Sequence, residues 1–295
     1  MKVLVLGGEG MLGHQVCRRL RSRFEVWASY RGDPRPWIRY GDVPLGHALG
    51  GVDAMAMSSV EAALAKAGPD AVVNCIGIVK QRAEAAVAVP SIVVNSLFPH
   101  ALAERCESVG ARLLNVSTDC VFSGRSGSYT EDELPDPPDL YGRSKLLGEL
   151  DRPGCLTLRT SIVGWEVGEF ASLLEWFAAQ RGRTIPGYNR ARYTGLSTIA
   201  LADVMAWVLE EWPGLSGLYH VAGDVITKHD LLVRLRDRLD WQDITIEPDE
   251  AHVSDMSLVS SRFRKDTGWQ PPSWQSMIDG LAAAWPLYAS WRGGT

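Results

Sequence analysis

Tyr141 and Lys145 stand four residues apart, so a helix carrying both sets a phenol and an ammonium on one face, with Cβ atoms about 5–6 Å apart. An ammonium nearby favours the phenolate and should draw a tyrosine below its usual pKa of about 10, easing proton transfer near neutral pH. Reduction of a carbonyl needs hydride at carbon and a proton at oxygen. Tyr141 can give the proton, while Lys145 can tune it and donate to a nicotinamide ribose. Such a pair is common on exposed helices, so its weight comes from its company.

Part of that company is the run Asn115-Val116-Ser117-Thr118-Asp119-Cys120, which follows an apolar stretch that reads as a strand. Ligands of open α/β sheets bind beyond the carboxyl ends of strands. A hydroxyl there, Thr118 in preference to Ser117, can donate to a substrate carbonyl oxygen and polarise it. The other part is Gly7-Gly8-Glu9-Gly10-Met11-Leu12-Gly13, directly after an aliphatic run over residues 2–6. Gly7 suits a tight turn, Gly10 a close approach to a pyrophosphate, and Gly13 close packing of helix on strand. The helix that opens at Met11 and Leu12 would aim free N–H groups and a positive dipole end at the phosphates. At the end of the second strand the chain reads Ser29-Tyr30-Arg31, with no carboxylate before Asp33. An acid there would hold ribose hydroxyls and select NAD; Arg31 can instead pair a 2′-phosphate through its planar fork. NADPH is therefore the expected cofactor, with NADH as the alternative.

The elements needed to position these groups are legible. Strand patterns at 2–6, 25–29, 71–76, 112–117 and 156–159 alternate with helical spacing at 11–20, 59–66, 91–109 and 141–150. Continuous apolar strands separated by amphipathic helices indicate a parallel sheet covered on both faces, a Rossmann-type doubly wound α/β fold. After about residue 160 the alternation loosens, and nine of the eleven tryptophans follow that point. Residues 1–160 are expected to bind the dinucleotide. Residues 161–295 read as a smaller, mainly substrate-binding lobe, with a helix at 198–212 and a strand at 217–222 returning to the main sheet. The segment 131–139, with three prolines and five acids, is a surface loop leading into the Tyr141 helix.

Composition narrows the classes. A net charge of −5 offers no basic field for nucleic acid or an anionic membrane. Five scattered cysteines without a C-x-x-C pair argue against a disulfide framework or zinc site, and the six histidines lack metal-ligand spacing, so no metal is assigned. No signal-peptide pattern or membrane-length apolar run is visible, and a cytoplasmic monomer or homodimer is expected.

Taken together, these residues resemble the extended short-chain dehydrogenase/reductases, and within them the dTDP-4-dehydrorhamnose reductase-like family. The matching stretches are 3–13, 73–77, 94–95, 117–124, 141–149 and 158–164, with echoes at 217–221 and 267–269. The resemblance implies a catalytic set of Thr118, Tyr141 and Lys145. It adds Asp53, Cys75, Ile76, Gly77, Asn95 and Arg159 along the cofactor, and Ser117, Asp119 and Cys120 beside the substrate. It further implies a nucleotide-sugar substrate, a 4-keto-6-deoxysugar reduced at C4. The family commonly has tyrosine where Cys120 stands, which leaves the sugar itself open. Farther along, Trp165 and Glu166 are placed to meet the sugar. The cation- and aromatic-bearing segment 187–193, Tyr188 and Arg192 above all, suits a nucleotide diphosphate. Two alternatives remain: an epimerase or dehydratase of the same superfamily, or a non-catalytic NADP-binding regulatory subunit like the methionine adenosyltransferase β subunit. A dehydratase of this kind carries a second carboxylate at the position of Cys120.

Overall fold

The computed structural model describes residues 1–81, 83–168 and 170–292. Its centre is a seven-stranded, wholly parallel sheet. Six of the strands are β1 (Lys2–Leu6), β2 (Glu25–Ser29), β3 (Ala48–Leu49), β4 (Ala71–Asn74), β5 (Arg112–Thr118) and β6 (Cys155–Thr160); the seventh is Gly217–His220. From one edge the order runs Gly217–His220, β6, β5, β4, β1, β2, β3. The connections therefore reverse direction between β1 and β4, and a crevice opens there at the carboxyl ends of the strands. This is the doubly wound Rossmann arrangement expected from the alternation of strands and helices.

Side-chain alternation divides the core into two layers. Val3 and Val5 of β1 face one layer with Leu114 of β5, while Leu4, Leu6 and Leu113 face the other. Because both faces are covered, β1 reads as an unbroken aliphatic run rather than an alternating one. The first layer continues without interruption into the second half of the chain, through Trp165, Phe177, Met205, Leu235 and Tyr288. Gly217–His220 pairs in parallel register with β6, Leu218 opposite Thr157 and His220 opposite Arg159, so residues beyond 160 complete the sheet edge. The rest of that half forms small sheets: Thr184–Tyr188 with Thr245–Asp249, and Ala191–Tyr193 between Ile226–Thr227 and Ser254–Asp255.

The helical stretch expected over 91–109 is broken into Ala88–Ile92, a π-helical turn Val93–Leu97, and Phe98–Ser108. The wide turn carries Asn95, whose side chain is held from both sides: its Oδ1 accepts from Ile78 N at 2.9 Å and its Nδ2 donates to Ile78 O at 3.0 Å. Among the described residues, no helix is long and apolar enough to cross a membrane.

Candidate active site

The glycine turn is built as its spacing predicts. Gly10 N donates to Gly7 O at 3.0 Å, and Gly7 N donates to Ser29 Oγ at 3.1 Å, tying the turn to the end of β2. A Cβ on Gly13 would lie 2.0 Å from Gly7 O, so only glycine lets the helix Gly13–Leu20 sit this close to the turn. Beneath it, His14 Nδ1 donates to Gly10 O at 2.8 Å and His14 Nε2 faces Tyr288 Oη at 2.5 Å. Gln15 Nε2 donates to the same phenol oxygen at 2.6 Å. The turn thus rests on the C-terminal helix, 274 residues away in sequence.

A cleft of about 570 Å³ runs from this turn across the carboxyl ends of β1, β4, β5 and β6. Gly10, Met11, Leu12 and Arg31 line one end; Cys75, Ile76 and Gly77 line the middle; Thr118, Asp119, Cys120, Tyr141 and Lys145 line the other end. Gly7 and Gly13 shape the turn from behind that wall. The dimensions suit an extended dinucleotide: a backbone cradle at a helix N-terminus, a cation at the adenosine end, and proton-carrying groups at the far end. The adenosine end also holds Glu9, whose Oε1 accepts from Arg31 N at 3.0 Å.

The Tyr141 helix (Leu140–Leu147) is set by local chemistry. Asp139 is its N-cap, accepting from Gly142 N at 2.9 Å, and the same carboxylate pairs with Lys80 Nζ at 2.7 Å. A Cβ on Gly142 would stand 2.2 Å from Cys120 O, so the glycine beside Tyr141 permits the helix to lie directly on the end of β5. Ser96 Oγ donates to Ser144 O at 2.8 Å, and Asn95 Nδ2 to Ser144 Oγ at 3.2 Å, fastening the helix to the π turn.

This packing brings Thr118, Tyr141 and Lys145 to one end of the cleft, but their electrostatics differ from expectation. Burial pushes the Tyr141 phenol up; the neighbouring Cys120 adds to this, and a hydrogen bond with the Thr118 side chain opposes it. Lys145 does not draw the phenol down. Its Nζ donates to Val116 O at 2.6 Å, and burial lowers its own pKa to about 8, with Glu149 opposing. A phenol that keeps its proton replaces the phenolate that the spacing suggested, and the lysine beside it has a pKa lowered to about 8. Cys120 is likewise protonated: burial and then Asp119 push its thiol up to about 12. The Asp119 carboxyl is raised by burial and held down by Lys228, and it accepts from Thr118 Oγ1 at 3.1 Å.

Several expected contacts fall elsewhere. Arg159 is 4% exposed and lies outside the lining; its guanidinium grips Glu149 at 2.7 and 2.6 Å. Ser117 reaches the cleft but donates its hydroxyl to the same Glu149 at 2.6 Å. Ser117 and Arg159 are register partners, as are Thr118 and Thr160. Side chains of paired residues share a face, so Thr160, not Arg159, reaches the cleft beside Thr118. Asn95 is buried behind the wall as a clamp on Ile78, and the Asp53 carboxylate caps Met55 N at 2.8 Å, also outside the lining. Trp165 is 1% exposed and donates its indole N–H to Leu281 O at 2.8 Å; it is core, and Glu166 beside it lines the cleft. Tyr188 and Arg192 turn outward by strand parity: Tyr188 sits over His252 with ring centroids 5.2 Å apart, and Arg192 pairs with Asp255 at 3.7 Å. The inward positions belong to Tyr193 and to Lys228, which sequence reasoning did not single out.

Comparison with known proteins bears on the family and the fold. A family model described as the RmlD substrate binding domain matches residues 1–285. A probable low-salt glycan biosynthesis reductase, Agl14 of Haloferax volcanii, is 27% identical over 98% of this chain and 100% of its own length. The methionine adenosyltransferase 2 subunit beta of Xenopus tropicalis is 24% identical over 84% of this chain and 75% of its own. A crystal structure of dTDP-4-dehydrorhamnose reductase from Bacillus anthracis in complex with NADP superposes with a TM-score of 0.78 at 19% identity, covering 95% of this chain and 98% of that one. With the family model spanning nearly its whole length, the chain belongs to the RmlD-like family of extended short-chain dehydrogenase/reductases.

Proposed function

We propose that this protein is an NADPH-dependent reductase that converts the C4 ketone of a nucleotide-activated 4-keto-6-deoxysugar to an alcohol. The observation that carries this reading is the convergence of Thr118, Tyr141 and Lys145 on one end of a cleft whose other end is the glycine turn. The turn and Arg31 would hold the pyrophosphate and the 2′-phosphate, as suits the NADP bound in the Bacillus anthracis relative. When bound, the dihydronicotinamide supplies hydride to the carbonyl carbon.

The chain's own groups do the rest. On substrate binding, Thr118 Oγ1 would turn its proton from Asp119 to the carbonyl oxygen and polarise it. Tyr141 Oη then delivers its proton to that oxygen as negative charge develops. A donor to an alkoxide must hold its proton until needed, which the upward push on the phenol ensures. Lys145, its pKa lowered to about 8, is still mostly protonated near neutral pH and would return a proton to the Tyr141 phenolate after the transfer.

The cleft's composition argues against the dehydratase reading. Elimination of water requires an acid and a base beyond the tyrosine, and at position 120 the group is a protonated thiol. The experiment that tests the proposal is a panel of dTDP-, UDP- and GDP-linked 4-keto-6-deoxysugars, scored by loss of NADPH absorbance. Consumption of NADPH with one nucleotide series supports it. NADPH binding without oxidation by any member of the panel refutes it and favours the regulatory-subunit alternative.

A further inference from the structure

Two polar groups at the substrate end of the cleft make no hydrogen bond among the described residues. Lys228 opens the helix Lys228–Leu239, whose N-cap Thr227 accepts from Asp230 N at 3.0 Å. From that fixed start its side chain enters the cleft. Among the described residues its ammonium makes no hydrogen bond or ion pair; it rests 3.6 Å over the centre of the Tyr193 ring. Tyr193 also lines the cleft, is 2% exposed, and its Oη is buried without a hydrogen-bond partner among the described residues. Both line the same cleft as Thr118 and Asp119, and the Asp119 charge acts on each. A buried phenol and an ammonium left unsatisfied in one cleft cost stability unless a ligand completes them.

The chemistry of the three groups restricts that ligand. Lys228 can only donate and an ionised Asp119 can only accept, while Tyr193 can do either. A carboxylate or phosphate would suit Lys228 but would face the Asp119 charge. A hydroxyl satisfies all of them: its proton goes to Asp119, and its lone pairs accept from Lys228 and Tyr193. Because Asp119 follows Thr118 directly, this hydroxyl sits next to the carbonyl that Thr118 polarises. We infer that Lys228 and Tyr193, with Asp119, recognise the sugar hydroxyl adjacent to the reacting carbonyl, making the enzyme selective for an α-hydroxy ketone. This inference rests on the reductase reading above and assigns Lys228 and Tyr193 as specificity-determining residues.

The test measures affinity rather than turnover. NADP⁺-saturated protein is titrated calorimetrically with dTDP-rhamnose, with its 3-deoxy analogue and with dTDP. The wild type should bind dTDP-rhamnose at least about tenfold more tightly than the 3-deoxy analogue, the size of a charge-assisted hydrogen bond. Lys228→Met should abolish that difference while leaving the dTDP and NADP⁺ affinities unchanged, and Lys228→Gln, which keeps a donor, should restore part of it. Equal wild-type affinity for the two sugars, or an equal loss for both in Lys228→Met, overturns the inference. So does a wild-type protein that binds dTDP-rhamnose no better than dTDP. The reductase reading is judged separately by NADPH consumption, so the two fail independently.

Discussion

His14 ties the cofactor turn to the C-terminal helix, and its protonation should be a measurable acid weakness of the fold. The imidazole is completely buried, and its Nδ1 proton is committed to Gly10 O. A carbonyl can only accept, so Nδ1 carries the hydrogen and Nε2 is the unprotonated nitrogen that accepts from Tyr288 Oη. Burial lowers its pKa from 6.5 to about 4, with the Gly10 hydrogen bond opposing and the Arg18 charge assisting. The unfolded chain therefore binds a proton between 6.5 and about 4 that the folded chain refuses. Stability from this group is complete above 6.5 and is lost as pH falls toward 4. That interval, at about 1.4 kcal/mol per pH unit, is worth about 3 kcal/mol. Denaturant unfolding followed by fluorescence between about pH 7 and pH 4 should show the wild type losing about 3 kcal/mol more than His14→Asn, which cannot titrate. The comparison cancels the carboxylates and His220, which are common to both proteins. A His14 imidazole NMR signal, assigned by its loss in His14→Asn and titrating near 6.5 in the folded protein, would refute the reasoning, as would identical pH slopes in the two proteins.

Three further outcomes follow from the site. Tyr141→Phe keeps the ring but removes the proton, so turnover of the keto-sugar substrate should fall by about 10²- to 10⁴-fold while NADPH affinity stays within about twofold; retained turnover would refute the donor role. Arg31→Ala should weaken NADPH binding by about 10- to 100-fold, the worth of a charge-assisted hydrogen bond to phosphate, and leave NADH binding unchanged; an unaltered NADPH/NADH ratio counts against the 2′-phosphate contact. Glu149→Ala strands the Arg159 guanidinium, whose side chain is 5% exposed, and should cost about 3–5 kcal/mol in denaturant unfolding. Adding Arg159→Met should recover much of that loss, and a single variant as stable as wild type would show that the pair carries little.

The local features of the site were legible because they obey short-range rules. The glycine spacing after an aliphatic run implied the turn, and the four-residue separation implied that Tyr141 and Lys145 share a helix face. The matches stop where side-chain direction depends on partners distant in sequence. In the segment 187–193 the sequence shows aromatics and cations at neighbouring positions, and a shift of one residue in a strand exchanges inside for outside. Tyr188 and Arg192 face away, and Tyr193 faces in, because of the strands they pair with. Arg159 was assigned to the cofactor for the same reason: its strand was recognised, but its face was decided by pairing with β5 and by Glu149.

By itself, then, the sequence determined a parallel, doubly covered sheet, the glycine turn after its first strand and the shared helix face of Tyr141 and Lys145, since each follows from periodicity or spacing within about ten residues. Tertiary structure alone decided their protonation. Desolvation depends on everything packed around a group, which is why Tyr141 moves up and Lys145 down although their spacing predicted a phenolate paired with an ammonium. It also decided that Lys228, 83 residues beyond Lys145 in the chain, lines the same cleft. No local pattern encodes that approach; it arises because the helix beginning at Lys228 packs against the strands that carry Tyr193 and Ile226.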